Sequence, residues 1–138
     1  MNILTSDWNS SKEQLKFVRT QVFIIEQGID PIDEWDDEDQ HAVHFVSFGT
    51  TAVPTGTCRL TEKGQIGRLA VLPAYRHQGY GERLLRKAVQ VAREMGIQTV
   101  FLNAQVEVQS FYEKQNFRSD GKVFLEAGKL HVRMERTI

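Results

Sequence analysis

The chain has 138 residues, 41% of them hydrophobic and 25% charged, with 10 Gly and 3 Pro. That suits one ordinary domain with a sizeable core and excludes a disordered, collagen-like or coiled-coil chain. Lys plus Arg total 17 against 18 Asp plus Glu, a formal charge of -1, which argues against a nucleic-acid or anionic-membrane binder with a sequence-wide basic face. No apolar run approaches the roughly 20 residues that cross a bilayer, and residues 1–7 carry neither a basic leader nor a signal-like apolar stretch. The lone Cys58 agrees with a reducing compartment, so the expected location is the cytoplasm.

Residues 2–5 read as a short strand. Ser10 and Glu13 have the spacing of a capping box, which starts a helix. Leu15, Val18, Val22 and Ile25 recur at three and four, giving an apolar stripe that Gly28 ends. Residues 29–40 hold Pro31 and six carboxylates between Asp33 and Asp39. Their mutual repulsion opposes regular compact structure, so an acidic loop is expected. Residues 41–48 and 52–60 have strand composition and a turn between them; Lys63-Gly64 turns the chain again before a strand over 65–72, which Pro73 ends.

After Gly79-Tyr80-Gly81, the positions Leu84, Leu85, Ala88, Val91, Ala92 and Met95 mark the inner face of a long helix closed by Gly96. Residues 99–102 suit a buried strand, and Val108, Phe111 and Tyr112 a short helix ending near Asn116. Two final strands, about 122–126 and 130–136, pair around Ala127-Gly128. The order predicts a mixed sheet with helices on its faces.

Arg76-His77-Gln78-Gly79-Tyr80-Gly81 follows a predicted strand and opens a predicted helix. Backbone amides converge there on the positive end of a helix, the glycines clear the approach to the main chain, and Arg76 adds charge, so the segment suits an anion such as a phosphate. Its spacing fits neither the dinucleotide fingerprint nor the P-loop. His41 and His44 stand three apart in a predicted strand and point to opposite faces, and the acidic run lacks the EF-hand spacing, so no metal is expected. Cys58 lies in a predicted strand without an evident His partner and reads as a small buried residue. The acidic run has two readings, a solvated loop or a field that draws in a cationic amine or polyamine.

The stretch from Ile66 to Gly81 resembles the acetyl-CoA segment of the GCN5-related N-acetyltransferase (GNAT) superfamily. Its pattern Arg/Gln-x-x-Gly-x-Gly/Ala is filled by Arg76, Gly79 and Gly81. Leu102-Asn103-Ala104-Gln105 with Phe111-Tyr112-Glu113-Lys114-Gln115-Asn116-Phe117 resembles the family's later strand and aromatic-rich helix. Residues 17–29 and 126–131 resemble its ElaA-like subgroup, so the resemblance covers nearly the whole chain.

The resemblance implies an α/β (α+β) fold: a mixed, mostly antiparallel sheet of six or seven strands, splayed in the middle, with helices on both faces. It implies acetyl-CoA as co-substrate, an amine acceptor, and a monomer or homodimer. Acetyl-CoA would lie where the strand of Leu69, Ala70 and Val71 splays from that of Asn103, its pyrophosphate on Arg76, His77, Gln78, Gly79, Tyr80, Gly81 and Glu82, with Phe111, Tyr112 and Lys114 alongside. The Val71 amide would polarise the thioester carbonyl, a kind of donor worth about 2.7–4 kcal/mol in a transition state. Tyr112 would protonate the departing sulfur. Since a Tyr near 10 is a weak donor to a thiol near 8.5, that role asks for positioning and for surroundings that lower the Tyr pKa.

A lysine-like amine is neutral in only about one part in 2,500 at pH 7, so a group must collect its proton. Arg68-Leu69-Ala70-Val71 offers no carboxylate, and the subgroup resemblance turns attention to Glu26 and His131. The structural alternatives are a solvated helix terminus for Glu26 and a strand hydrogen bond for His131. Two other functions stay open: an acyl-homoserine-lactone synthase-like enzyme, which residues 19–26 ahead of an acidic loop also resemble, and a CoA-binding module without catalysis.

Overall fold

The computed structural model describes residues 2–138, beginning with strand β1 (Asn2–Ser6) and helix α1 (Trp8–Arg19). Asp7, not Ser10, caps α1: its carboxylate accepts the Ser10 N–H at 2.8 Å, because Asp satisfies the same orphan amides as Ser. The helix runs on into a π-helical segment (Thr20–Glu26), where the Gln27 N–H reaches back five residues to the Val22 carbonyl. This wider turn rotates the apolar stripe. Leu15, Val18 and Val22 stay buried and Phe23 joins them, while Ile25, expected inside, is 64% exposed. Gly28, at φ +70°, ends the helix.

The acidic stretch is ordered. It folds into α2 (Pro31–Glu34) and a 3-10 turn (Asp37–Gln40), capped by the side chains of Asp30 and Asp36. The expected repulsion is relieved because Glu34 and Asp39 turn inward onto arginines.

Strands β2 (Val43–Phe48), β3 (Pro54–Leu60) and β4 (Ile66–Val71) complete an antiparallel sheet with β1, in the order β1-β2-β3-β4. Strands β5 (Thr99–Gln105), β6 (Arg118–Glu126) and β7 (Lys129–Thr137) form a second antiparallel sheet, ordered β5-β7-β6. One parallel bridge, Gln65 to Phe101, joins the two. Beyond it β4 and β5 pair no further, which is the splay the sequence leads one to expect.

Alternation along the strands separates two faces. Val46 and Ala70 face α1, whereas Phe45 and Cys58 face α3 (Tyr80–Glu94). Leu84, Leu85, Ala88 and Ala92 of α3 are buried as expected, joined by Val89, while Val91 packs at the edge and Met95 is exposed. Helix α4 (Gln109–Lys114) follows β5, and Ala127 and Gly128 take φ +51° and +75°, as a two-residue hairpin turn demands. Within β4, Thr57 pairs with Ala70 and Arg59 with Gly67, so Arg68 and Leu69 together oppose Cys58. This is a β-bulge, with Arg68 at φ +49°, a left-handed conformation that costs a non-glycine residue about 1–3 kcal/mol.

Candidate active site

Two cavities open where the sheets separate. The larger, about 840 Å³, lies between the end of the π-helical segment, the acidic segment, β4, β5 and the β6–β7 hairpin. The smaller, about 430 Å³, lies between β4, residues 75–82 and the aromatic pair Phe111 and Tyr112. Leu69, Ala70, Val71, Arg76 and Tyr112 line both, so the cavities meet along β4.

The smaller cavity combines a helix N-terminus with glycine-lined space beside a strand. Helix α3 makes its first backbone bond from Arg83 to the Gly79 carbonyl at 3.1 Å, and Gly79 supplies no side-chain cap. The amides of Tyr80, Gly81 and Glu82 therefore stand at the positive helix end without a helical acceptor. His77 and Gly79 both take positive φ, and a Cβ at Gly79 would meet no atom within 4 Å. At Gly81 a Cβ would lie 3.6 Å from Phe111 and 3.8 Å from Val71, ordinary contact on the cavity wall. The residues present thus fit a diphosphate with a chain running along β4. Two of the expected residues stand outside: Gln78 donates its side-chain amide to the Ala74 carbonyl, and Lys114 is exposed on α4; neither lines a cavity.

Arg76 is held differently from expectation. Its Nε donates to the Val71 carbonyl at 2.9 Å and its terminal nitrogens grip Glu26 at 2.7 and 2.6 Å. This pair stands where the cavities meet. The Arg76 hydrogen bonds hold the Glu26 carboxyl below the usual carboxylate range, which makes Glu26 a poor proton acceptor while the pair persists.

Leu72 donates to the Thr55 carbonyl at 2.9 Å across β3. By strand alternation the Val71 amide is directed the other way, into the gap left by β5. Tyr112 lies beside Phe111 and Phe117, with ring centroids 5.1 and 6.1 Å away. Burial raises its hydroxyl above the ordinary value of 10, so the surroundings do not lower the Tyr pKa as the acid role asks.

His131 lies on β7 facing the larger cavity. Its Nδ1 is 2.8 Å from the Lys129 carbonyl; a carbonyl only accepts, so the proton sits on Nδ1 and the Nε2 lone pair is left free in the neutral ring. Nε2 is 3.7 Å from Glu126, the ring stacks on Phe124, and Asn103 donates to the other Glu126 oxygen at 3.4 Å. Glu126 lies in the stretch 126–131 already singled out, but its approach to His131 is made across the β6–β7 hairpin, which sequence spacing alone does not reveal.

Beneath the larger cavity lies a charge network that sequence reasoning misses. Arg19, 1% exposed, bridges Glu34 and Asp39 at 2.7 Å each, under the rings of Trp8 and Trp35. Arg59 reaches Asp36 and Asp39, and Arg68 reaches Glu34 and Asp36. Burial pushes Glu34 up despite Arg68 and Arg19, whereas at Asp39 burial is outweighed by Arg19 and Arg59 and the carboxyl is held down. The available signal was Arg19 itself, four residues after Leu15 on the apolar stripe.

Cys58 is buried and its thiol is pushed up to about 12 by that burial, which leaves it no nucleophilic role. Among the described residues, no group of three or more His, Cys, Asp or Glu is placed to hold a metal ion. None of their helices is long and apolar enough to cross a membrane.

Residues 10–138 match the family model of the acetyltransferase (GNAT) domain, and the chain belongs to this family of acetyltransferases. It is 34% identical over 130 residues to the uncharacterized N-acetyltransferase YjcF of Bacillus subtilis, covering 90% of this chain and 93% of YjcF. The crystal structure of an acyl-CoA N-acyltransferase from Pseudomonas aeruginosa is similar with a TM-score of 0.86 and 26% identity, over 99% of this chain and 100% of that one. Escherichia coli ElaA shares the fold, with a TM-score of 0.87 at 23% identity over 99% of each chain.

Proposed function

We propose that the protein transfers an acetyl group from acetyl-CoA to a primary amine by direct attack, with His131 as the proton acceptor and Tyr112 as the proton donor. The observation that carries this is the meeting of the two cavities along β4: the phosphate-type cradle opens on one side of Val71 and Tyr112, and His131 stands on the other. When bound, acetyl-CoA supplies an activated thioester. The amides at the start of α3 and the loop of residues 76–81 would hold its diphosphate, and β4 would bind the pantetheine arm as an added strand does.

The Val71 amide then serves as a preorganised donor toward developing negative charge. His131 accepts a proton at Nε2, and the Glu126 carboxylate stabilises the imidazolium so formed. Glu26 is the weaker candidate because Arg76 engages both of its oxygens.

The test is free-thiol release from acetyl-CoA over a panel of polyamines, amino sugars, aminoglycosides, amino acids and peptide N-termini. At least one amine is expected to turn over, while acyl carrier protein with S-adenosylmethionine gives none. His131→Gln should lower kcat roughly 100-fold or more and abolish the acidic limb of its pH profile, whereas Glu26→Gln should retain that limb. Tight CoA binding without transfer to any amine would overturn the catalytic reading, and an unchanged His131→Gln profile would overturn the assignment of the base.

A further inference from the structure

The β4 bulge places Arg68 in a left-handed conformation three residues before Val71, whose amide is directed into the gap between the sheets, and nothing in β4 itself favours that conformation over the extended one. What surrounds Arg68 does. Its carbonyl accepts the Thr57 hydroxyl at 3.0 Å. Its side chain crosses to the acidic segment, where Nη2 donates to the Glu34 carbonyl at 2.7 Å and to Asp36 Oδ2 at 3.1 Å, and Nε lies 3.2 Å from both the Glu34 carbonyl and Glu34 Oε2. The acidic segment is itself immobilised, since Arg19 donates to the same Glu34 carbonyl and to its carboxylate.

We propose that Arg68 is a positioning residue that clamps the β4 bulge onto the backbone of residues 33–36 and thereby aims the Val71 amide into the gap between β4 and β5. The inference rests on the acetyl-transfer reading for its kinetic consequence, though not for its structural one. Only a guanidinium has a rigid fork that serves a carbonyl and two carboxylates at once; an ammonium is a point charge with no fixed plane. The inward-facing acids of residues 34–39 then have a purpose distinct from attracting substrate: they are the anchor of a brace that acts on the strand across the cleft.

Three variants separate the brace from the alternatives. Arg68→Gly removes the clamp while making φ +49° easier to adopt; Arg68→Lys keeps the charge beside Glu34; Asp36→Asn weakens one arm. With acetyl-CoA and the best amine of the panel, Arg68→Gly and Arg68→Lys should each lower kcat roughly 10- to 100-fold, the scale of a misplaced reacting group. CoA affinity measured by calorimetry should fall far less than kcat, because residues 76–81, which would hold the diphosphate, are untouched even though β4 beside the pantetheine arm is loosened. Amide hydrogen exchange should speed up at residues 69–71 in all three variants, with the α3 amides unaltered.

Wild-type kcat in Arg68→Gly would show that backbone conformation alone is required and would overturn the brace, as would unchanged exchange at residues 69–71. If Arg68→Gly does not fold, Arg68→Lys decides by the same criteria. Should no amine be acetylated by the wild-type protein, the catalytic reading fails, and the exchange data still accept or reject the clamp.

Discussion

The ring of Tyr112 packs edge-on against Phe111 and Phe117, and burial raises the pKa of its hydroxyl. The group therefore stays protonated at any working pH. It is always ready to give a hydrogen bond, but as an equilibrium acid it is weaker than the thiol, near 8.5, that it would generate. In the proposed transfer its contribution would be to deliver the proton as the carbon–sulfur bond breaks, when the sulfur is most basic and closest. Tyr112→Phe should lower kcat roughly 100-fold with CoA affinity unchanged by calorimetry. Because its pKa is raised, the wild-type profile should show no alkaline break that disappears in the variant; a break that does disappear would mean that Tyr112 ionises during turnover. Full activity in Tyr112→Phe would remove it from the reaction.

Among the elements, the turn into α3 joins local legibility to function most directly. Gly79 caps the helix in a left-handed conformation, and the direction of its missing Cβ is open. Gly79→Val should cost about 1–2 kcal/mol of stability from φ +88° alone, and it should also abolish CoA binding. Gly121 is the control, since it has φ +77° and open space but lies in β6, away from both cavities. Gly121→Val should lose comparable stability in thermal melts yet bind CoA normally in calorimetry; equal binding losses would place the effect of Gly79 in folding rather than in the cradle. This turn was readable in the sequence because its signals are local: a strand, two glycines, then a 3.6-residue period. The same holds for the Ala127-Gly128 hairpin and the Gly96 helix stop. The π-helical segment was not readable, because one widened turn leaves a three-and-four spacing intact while moving Ile25 to the surface. Residues 29–40 were misread for a different reason. Their order depends on Arg19 and Arg68, which are 15 and 34 positions away from Glu34, and repulsion counted within the run cannot see either.

Across the whole molecule, the near-zero net charge hides extensive pairing, which takes up Arg76 and three of the six carboxylates of residues 33–39 while Asp33, Asp37 and Glu38 stay exposed. The sequence suggests a basic turn at Arg76 opposite an acidic cluster, but Arg76 is neutralised by Glu26, and Glu34, Asp36 and Asp39 by Arg19, Arg59 and Arg68. The network links α1, the acidic segment, β3 and β4, and His44 of β2 is attached to it through Nε2, 2.8 Å from the Asp39 carbonyl. His44 is fully buried and its Nδ1 has no hydrogen-bond partner, so burial lowers its pKa from 6.5. As pH falls below that value the unfolded chain binds a proton that the folded protein refuses, and stability must fall, by at most about 1.4 kcal/mol per pH unit. Asp39, held down, loses its contribution only below its ordinary 3.8. Glu34, held up, works in the opposite sense above its ordinary 4.5, so the share of the slope that belongs to His44 is read from its substitution. Thermal melts between pH 7.5 and about 5.5 should show a declining Tm, and His44→Gln, which keeps a donor for the Asp39 carbonyl but cannot titrate, should flatten that decline. A slope unchanged by the substitution would mean that His44 takes up its proton equally well in both states, and that the buried network does not set the acid limit of the fold.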